Sequence, residues 1–235
     1  MRLDRFLTDF GVGSRSAVRE LIKKGRIRVN GAVIKIPDTA VDPEDRVVFD
    51  EKEIEQSTFE YYLMNKPGGV LTAMRDPKKP TVAEYLPTGR KDVKPVGRLD
   101  ADVTGALVFT NDGVLTHRLL SPKRKVVKVY HAFLGSPLPT DAEERLKEPL
   151  QYGDVSYAVP LTFTRIGDTE AKIAVTEGKY HEVKRIFELI GAPVRKLHRE
   201  SFAGLSADTL PEGGARKLEE EEIAALYRAA GLERT

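Results

Sequence analysis

Short strand-length runs and short helical patterns follow one another along this chain without strict alternation, an order that points to an α+β fold. Strands are expected at Tyr61-Tyr62-Leu63-Met64 and near residues 105–110, 126–134, 158–164 and 170–176. Helices are expected near 81–86, 113–120, 140–148, 180–190 and 219–229. The 235 residues suffice for one large or two modest domains with a sizeable core. An apolar share of 40% and a charged share of 31% describe an ordinary globular protein. The longest apolar runs fall short of a membrane span, so no membrane partner is expected. Met1-Arg2-Leu3-Asp4-Arg5 leads into no apolar signal core, so secretion is not expected either. The chain has no cysteine, which excludes disulfides, thiolate catalysis and cysteine-ligated zinc, and fits a reducing cytoplasm. His117, His131, His181 and His198 stand too far apart for a zinc pair at three- to five-residue spacing.

The first fifty residues have their own pattern. Leu3, Phe6, Leu7 and Phe10 recur at helical spacing, and Gly11 and Gly13 end that helix. Ser14 is placed to cap a second helix with Val18, Leu21 and Ile22 on its apolar face. Ile27 and Val29 alternate with Arg26 and Arg28 as in a half-exposed strand. Asn30-Gly31 is a hairpin turn signal, and Val47-Val48-Phe49 is a further strand. Net charge is only +2, but residues 1–35 carry Arg2, Arg5, Arg15, Arg19, Lys23, Lys24, Arg26, Arg28 and Lys35 against Asp4, Asp9 and Glu20. The sign then reverses from Asp38 to Glu55. A local basic excess is the footprint of a phosphate-binding surface, although a solvated helix face has the same composition. The domains expected are 1–50, a linker at 51–59, and a second domain at 60–235.

The stretch Val96-Gly97-Arg98-Leu99-Asp100-Ala101-Asp102-Val103-Thr104-Gly105, continuing to Gly113, carries the chemistry. Asp100-x-Asp102-x-Thr104-Gly105 begins like a calcium loop, but position twelve is Asn111 where a carboxylate is needed. Asp-x-Asp-x-Thr also occurs in phosphoryl-transfer enzymes, yet Lys94-Pro95-Val96-Gly97 is a poor buried strand to precede it. The whole pattern, with Thr110-Asn111-Asp112-Gly113, resembles the catalytic motif of pseudouridine synthases.

Other segments agree in order: Leu63-Met64-Asn65-Lys66-Pro67, Ser121-Pro122 through Tyr130, Glu177-Gly178-Lys179-Tyr180-His181-Glu182-Val183-Lys184-Arg185, and Leu197-His198-Arg199-Glu200-Ser201-Phe202. Residues 1 to about 49 resemble the RNA-binding domain of the ribosomal-protein S-four type. Nearly the whole chain is similar to the RsuA-like family of ribosomal small-subunit pseudouridine synthases. The resemblance implies a catalytic domain built on a mixed, mainly antiparallel sheet flanked by helices. It also implies ribosomal RNA as substrate, either small-subunit rRNA or a partly assembled subunit. The reaction concerns one nucleoside and needs no cofactor, no metal is expected, and a monomer is the default. Glu182 departs from the family, where glutamine is usual.

The same resemblance assigns roles. Asp100 would attack the anomeric carbon or remove a ribose proton, and either route needs it ionised beside a cation. Lys184 is the candidate cation and Arg185 the fallback, or else a phosphate contact. Tyr130 would stack on the uracil. Arg98 would fill the space of the flipped nucleotide. Lys66 could meet phosphate or simply shape a turn. Asp102 and Thr104 would fix the loop by hydrogen bonds. Arg15, Arg19, Lys23, Lys24 and Arg28 would meet the RNA backbone. A large-subunit target within the same family and a non-catalytic ribosome-associated RNA-binding protein are the alternatives.

Overall fold

The computed structural model describes residues 2–42, 45–54 and 59–233. Its backbone contacts divide the chain into two compact units. One comprises Met1–Glu60, Gly89–Lys94 and Asn111–Gly113; the other comprises Tyr61–Thr88, Pro95–Thr110 and Val114–Thr235. The α+β expectation holds.

In the first unit, helices α1 (Leu3–Asp9) and α2 (Arg15–Lys23) accompany an antiparallel sheet in the order β2-β1-β3-β4. Its strands are β1 (Ile27–Val29), β2 (Ala32–Ile34), β3 (Val47–Phe49) and β4 (Lys52–Glu53). Ser14 caps α2, its hydroxyl accepting from the Ala17 amide at 3.3 Å, a contact of about 1 kcal/mol. Asn30 and Gly31 turn β1 into β2 with φ of 50° and 84°, the left-handed pair that a tight hairpin needs. Leu3, Leu7, Val18, Ile22, Ile27 and Val47 close a small core. Lys52 and Glu53, read as linker, pair instead with β3, because the antiparallel ladder continues past the turn at Asp50 and Glu51. Residues 55–58 of that expected linker lie outside the described residues.

The second unit is built on one large sheet, ordered β11-β12-β8-β13-β7-β5-β15. Its strands are β5 (Tyr61–Lys66), β7 (Thr104–Thr110), β8 (Lys128–Leu134), β11 (Thr162–Gly167), β12 (Glu170–Val175), β13 (Val194–Phe202) and β15 (Ala215–Lys217). Short β6 (Lys94–Pro95) adds to β7, and β14 (Leu205–Ser206) to β13, while β9 (Leu150–Tyr152) and β10 (Val155–Tyr157) form a separate hairpin. Every pairing along the main path is antiparallel except β13 with β7. Helices α3 (Gly113–Leu120), α4 (Ala142–Arg145), α5 (Glu182–Leu189) and α6 (Glu220–Ala230) complete it. The pattern at 81–86 yields only a 3₁₀ turn, Val82–Tyr85, and that at 140–148 only the single turn of α4. Leu63, Val108, Leu115, Phe202 and Leu226 pack together in the core beside the sheet.

Strand β13 is decisive for the site. It follows β7 and β8 in the chain but lies between them in the sheet. Gly105 pairs with Arg199 across the parallel contact. A Cβ on Gly105 would sit 2.2 Å from the Arg199 carbonyl oxygen, and φ is +106° there, so only glycine fits.

Candidate active site

The turn between Leu99 and Thr104 is held from below. The Val103 amide donates to the Asp100 carbonyl at 3.1 Å, and the Gly69 amide donates to the Ala101 carbonyl at 2.8 Å. Thr72 Oγ1 donates to the Leu99 carbonyl at 2.7 Å and accepts from the Leu99 amide at 3.2 Å. Lys66 Nζ donates to the carbonyls of Pro67, Ala101 and Val103 at 2.9, 3.1 and 2.9 Å. An ammonium has three protons, and three carbonyls take them. Lys66 is fully buried, and burial pushes its pKa down to about 8 while Asp102 and Asp100 pull it up. Lys66 is therefore not offered to phosphate. Its role is to tie β5 to the turn that bears Asp100, which corrects the RNA-contact expectation.

Above the turn, Lys184 Nζ donates to Asp100 Oδ2 at 2.9 Å and to Asp102 Oδ1 and Oδ2 at 2.8 and 3.0 Å. Lys184 lies in the first turn of α5, so its side chain reaches the carboxylates from a rigid element. Burial works to lower its pKa, but the hydrogen bonds to Asp102 and Asp100 outweigh that and hold it above the ordinary lysine value. Asp102 is itself held below the usual carboxylate range: its partial burial is overcome by Lys184. A second nitrogen, His181 Nε2, lies 3.3 Å from Asp100 Oδ2. In the sequence His181 stands within the stretch Glu177–Arg185 and has no zinc partner at ligand spacing, and no role is assigned to it. Its proximity to Asp100 follows from a left-handed residue (φ 53°) at the start of α5, which no spacing rule reveals.

Asp100 opens onto a cavity of about 440 Å³, within the range of small-molecule sites. Tyr130, Lys184, Arg98, Lys128, Glu182 and Arg199 are among its lining residues. Tyr130 is on β8, paired with Ile173 on one side and Arg199 on the other. Arg199 is buried, its Nε donates to the Ala106 carbonyl at 2.7 Å, and its guanidinium stands 5.1 Å from the Phe202 ring centre. Lys128 Nζ donates to the carbonyls of Val126 and Thr176 at 3.0 and 3.3 Å, and burial lowers its pKa to about 8. Glu182 is 6% exposed. Burial, with Glu177 nearby, pushes its carboxyl up to about 7, against the opposing pull of Lys128 and Lys179. Thr104 joins a chain on the far side of the turn: its hydroxyl is 2.8 Å from His198 Nδ1, and His198 Nε2 is 3.0 Å from Asp208 Oδ1.

The remaining expected residues lie apart from the Asp100 carboxylate. Arg98 is exposed at the cavity wall. Arg185 does not line the cavity; it is bonded to Glu188 at 2.6 Å and stands 4.1 Å over the Tyr152 ring. In the first unit, buried Asp4 gathers Arg2, Arg19 and Arg15 at 2.9, 3.1 and 3.7 Å. Lys23 pairs with Glu20 at 3.2 Å, Arg28 donates to the Gly31 carbonyl at 3.3 Å, and Lys24 is exposed.

This arrangement joins an ionised pair, an aromatic ring and a base-sized cavity behind a glycine-dependent sheet junction. The family model of the RNA pseudouridylate synthases matches residues 60–189, and that of the S4 domain matches residues 1–47. The chain belongs to the RNA pseudouridylate synthase family. This family member is 35% identical over 232 residues to the ribosomal small subunit pseudouridine synthase A of Escherichia coli strain K12, an alignment covering 96% of this chain and all of that relative. It is 38% identical to the uncharacterized RNA pseudouridine synthase YtzG of Bacillus subtilis strain 168, covering 95% and 97% of the two chains. A crystal structure of a pseudouridylate synthase superposes with a TM-score of 0.70 at 27% identity, covering 96% of this synthase and 99% of that chain.

Proposed function

We propose that this enzyme isomerises one uridine of small-subunit ribosomal RNA to pseudouridine, with Asp100 as the catalytic carboxylate. The observation that carries the reading is the 2.9 Å ion pair between Lys184 and Asp100 at the wall of a cavity that Tyr130 also lines. The Lys184 ammonium stands against the carboxylate from which nucleophilic attack on the anomeric carbon or abstraction of a ribose proton would start. The bond from ribose to nitrogen 1 breaks, the uracil turns against Tyr130, a bond to carbon 5 forms as the carbon 5 proton leaves, and nitrogen 1 takes up a proton. Reactant and product have the same atoms, so the reaction consumes no cofactor. Arg98, exposed at the cavity wall, takes the place of the flipped nucleotide. The small-subunit target is supported by the near full-length similarity to the Escherichia coli enzyme of that name.

The first fifty residues position the RNA by its phosphates through Arg15, Arg19, Lys23, Lys24 and Arg28. Arg185 is a rim contact for the backbone. Among the described residues, no helix is long and apolar enough to cross a membrane. A cysteine-free chain suits a reducing cytoplasm.

The test is tritium release from RNA labelled at carbon 5 of uridine, with wild type and Asp100→Asn, on small-subunit rRNA and on partly assembled subunits. Release by wild type alone is expected, with both proteins equally folded. Release only from large-subunit RNA would overturn the target.

A further inference from the structure

Tyr180 is 76% exposed, more than any other large hydrophobic residue described. It stacks on the His181 ring with centroids 3.7 Å apart and planes 19° apart. His181 is held in turn, with Nε2 3.3 Å from Asp100 Oδ2 and a left-handed backbone at φ 53°. A non-glycine residue in that region is uncommon. His181 lines the cavity and Tyr180 does not. The two rings thus form a short stack running outward from Asp100, and its outermost aromatic face is turned to solvent.

We propose that the outer face of Tyr180 stacks on an RNA base adjoining the uridine held in the cavity, a reading that rests on the function proposed above. Flipping a nucleotide leaves its neighbours without a stacking partner. A fixed aromatic ring at the rim replaces that partner and needs no particular base, since every base has a π-face. The stack also places the bound base in line with His181, and so with Asp100. The Tyr180 hydroxyl is not required; the ring face is.

The experiment compares full-length wild type, Tyr180→Phe and Tyr180→Ala in binding to a small-subunit rRNA transcript over a range of salt concentrations. Tyr180→Ala is expected to weaken binding about 5- to 150-fold at every salt concentration. Its salt dependence should stay unchanged, because no phosphate contact is lost. Tyr180→Phe should bind within about twofold of wild type. Wild-type affinity in Tyr180→Ala overturns the proposal. Equal weakening in Tyr180→Phe also overturns it, because the hydroxyl would then be the contact. A fall in kcat for tritium release with unchanged RNA affinity would make Tyr180 only a brace for His181. If wild type releases no tritium, the isomerase reading falls, and the affinity comparison still decides whether Tyr180 stacks on RNA.

Discussion

Lys184 divides one ammonium between two carboxylates, 2.9 Å from Asp100 Oδ2 and 2.8 Å from Asp102 Oδ1. Replacing it leaves both acids without that cation. Lys184→Met is expected to lower kcat for tritium release by about 100-fold or more, the usual effect of losing a preorganised charge at a reacting group. Lys184→Arg should recover part of the loss, and RNA affinity should change little. Near-normal kcat in Lys184→Met would remove Lys184 from the mechanism.

Lys66→Met keeps the length of the side chain and removes its charge. Three carbonyls lose their donor, and stability should fall by about 3 kcal/mol. Denaturant unfolding measures this directly. The salt dependence of RNA binding should not move, whereas a slope shallower by about 1 would return Lys66 to the phosphate contacts.

Glu182 ties stability to pH. Its folded pKa of about 7 lies above an ordinary glutamate's 4.5. The folded protein therefore holds this proton more tightly than the unfolded chain. The resulting stabilisation is complete below pH 4.5 and is lost as pH rises through about 7. The difference amounts to about 3 kcal/mol. Glu182→Gln has no such proton to lose, so its advantage over wild type should grow from pH 5 to pH 8 and then level off. Unfolding curves of the two proteins across that range would refute this if they stayed parallel.

Arg15 and Arg19 are drawn together by Asp4, at 3.7 and 3.1 Å. If both face RNA, Arg15→Ala and Arg19→Ala should each make the logarithmic salt slope shallower by about 0.7–0.9. Each should weaken binding to all RNA sequences alike. An effect on affinity with no change of slope would mean that the two arginines only support the fold.

Much of the site could be read from residue order, and the reasons differ from residue to residue. Asp100 and Lys184 stand in recognisable stretches, and the structure brings them to hydrogen-bond distance. Strands β7, β8 and β12 announce themselves by apolar runs. Strand β13 does not: Arg195, Lys196, His198, Arg199 and Glu200 interrupt any alternation. Its place is fixed by long-range pairing with β7 and β8. The sequence leaves Lys66 between a phosphate contact and a turn, because lysine is rarely buried unless paired and its carbonyl partners Ala101 and Val103 lie far along the chain. Glu182 was noticed as an oddity, but its raised pKa depends on burial that composition cannot report.

The insertion of β13 between β7 and β8 has a consequence for the growing polypeptide. Asp100 precedes β7, and Tyr130 lies on β8, so both leave the ribosome well before Val194–Phe202. Until that strand arrives, β7 and β8 have a gap between them and the two residues share no wall. A chain ended before Val194 carries the whole Leu99–Thr104 turn and still lacks the strand that joins β7 to β8. Val194–Phe202 therefore has to be made before the two residues can share a wall, and a chain that stops short of it is expected to leave the RNA untouched.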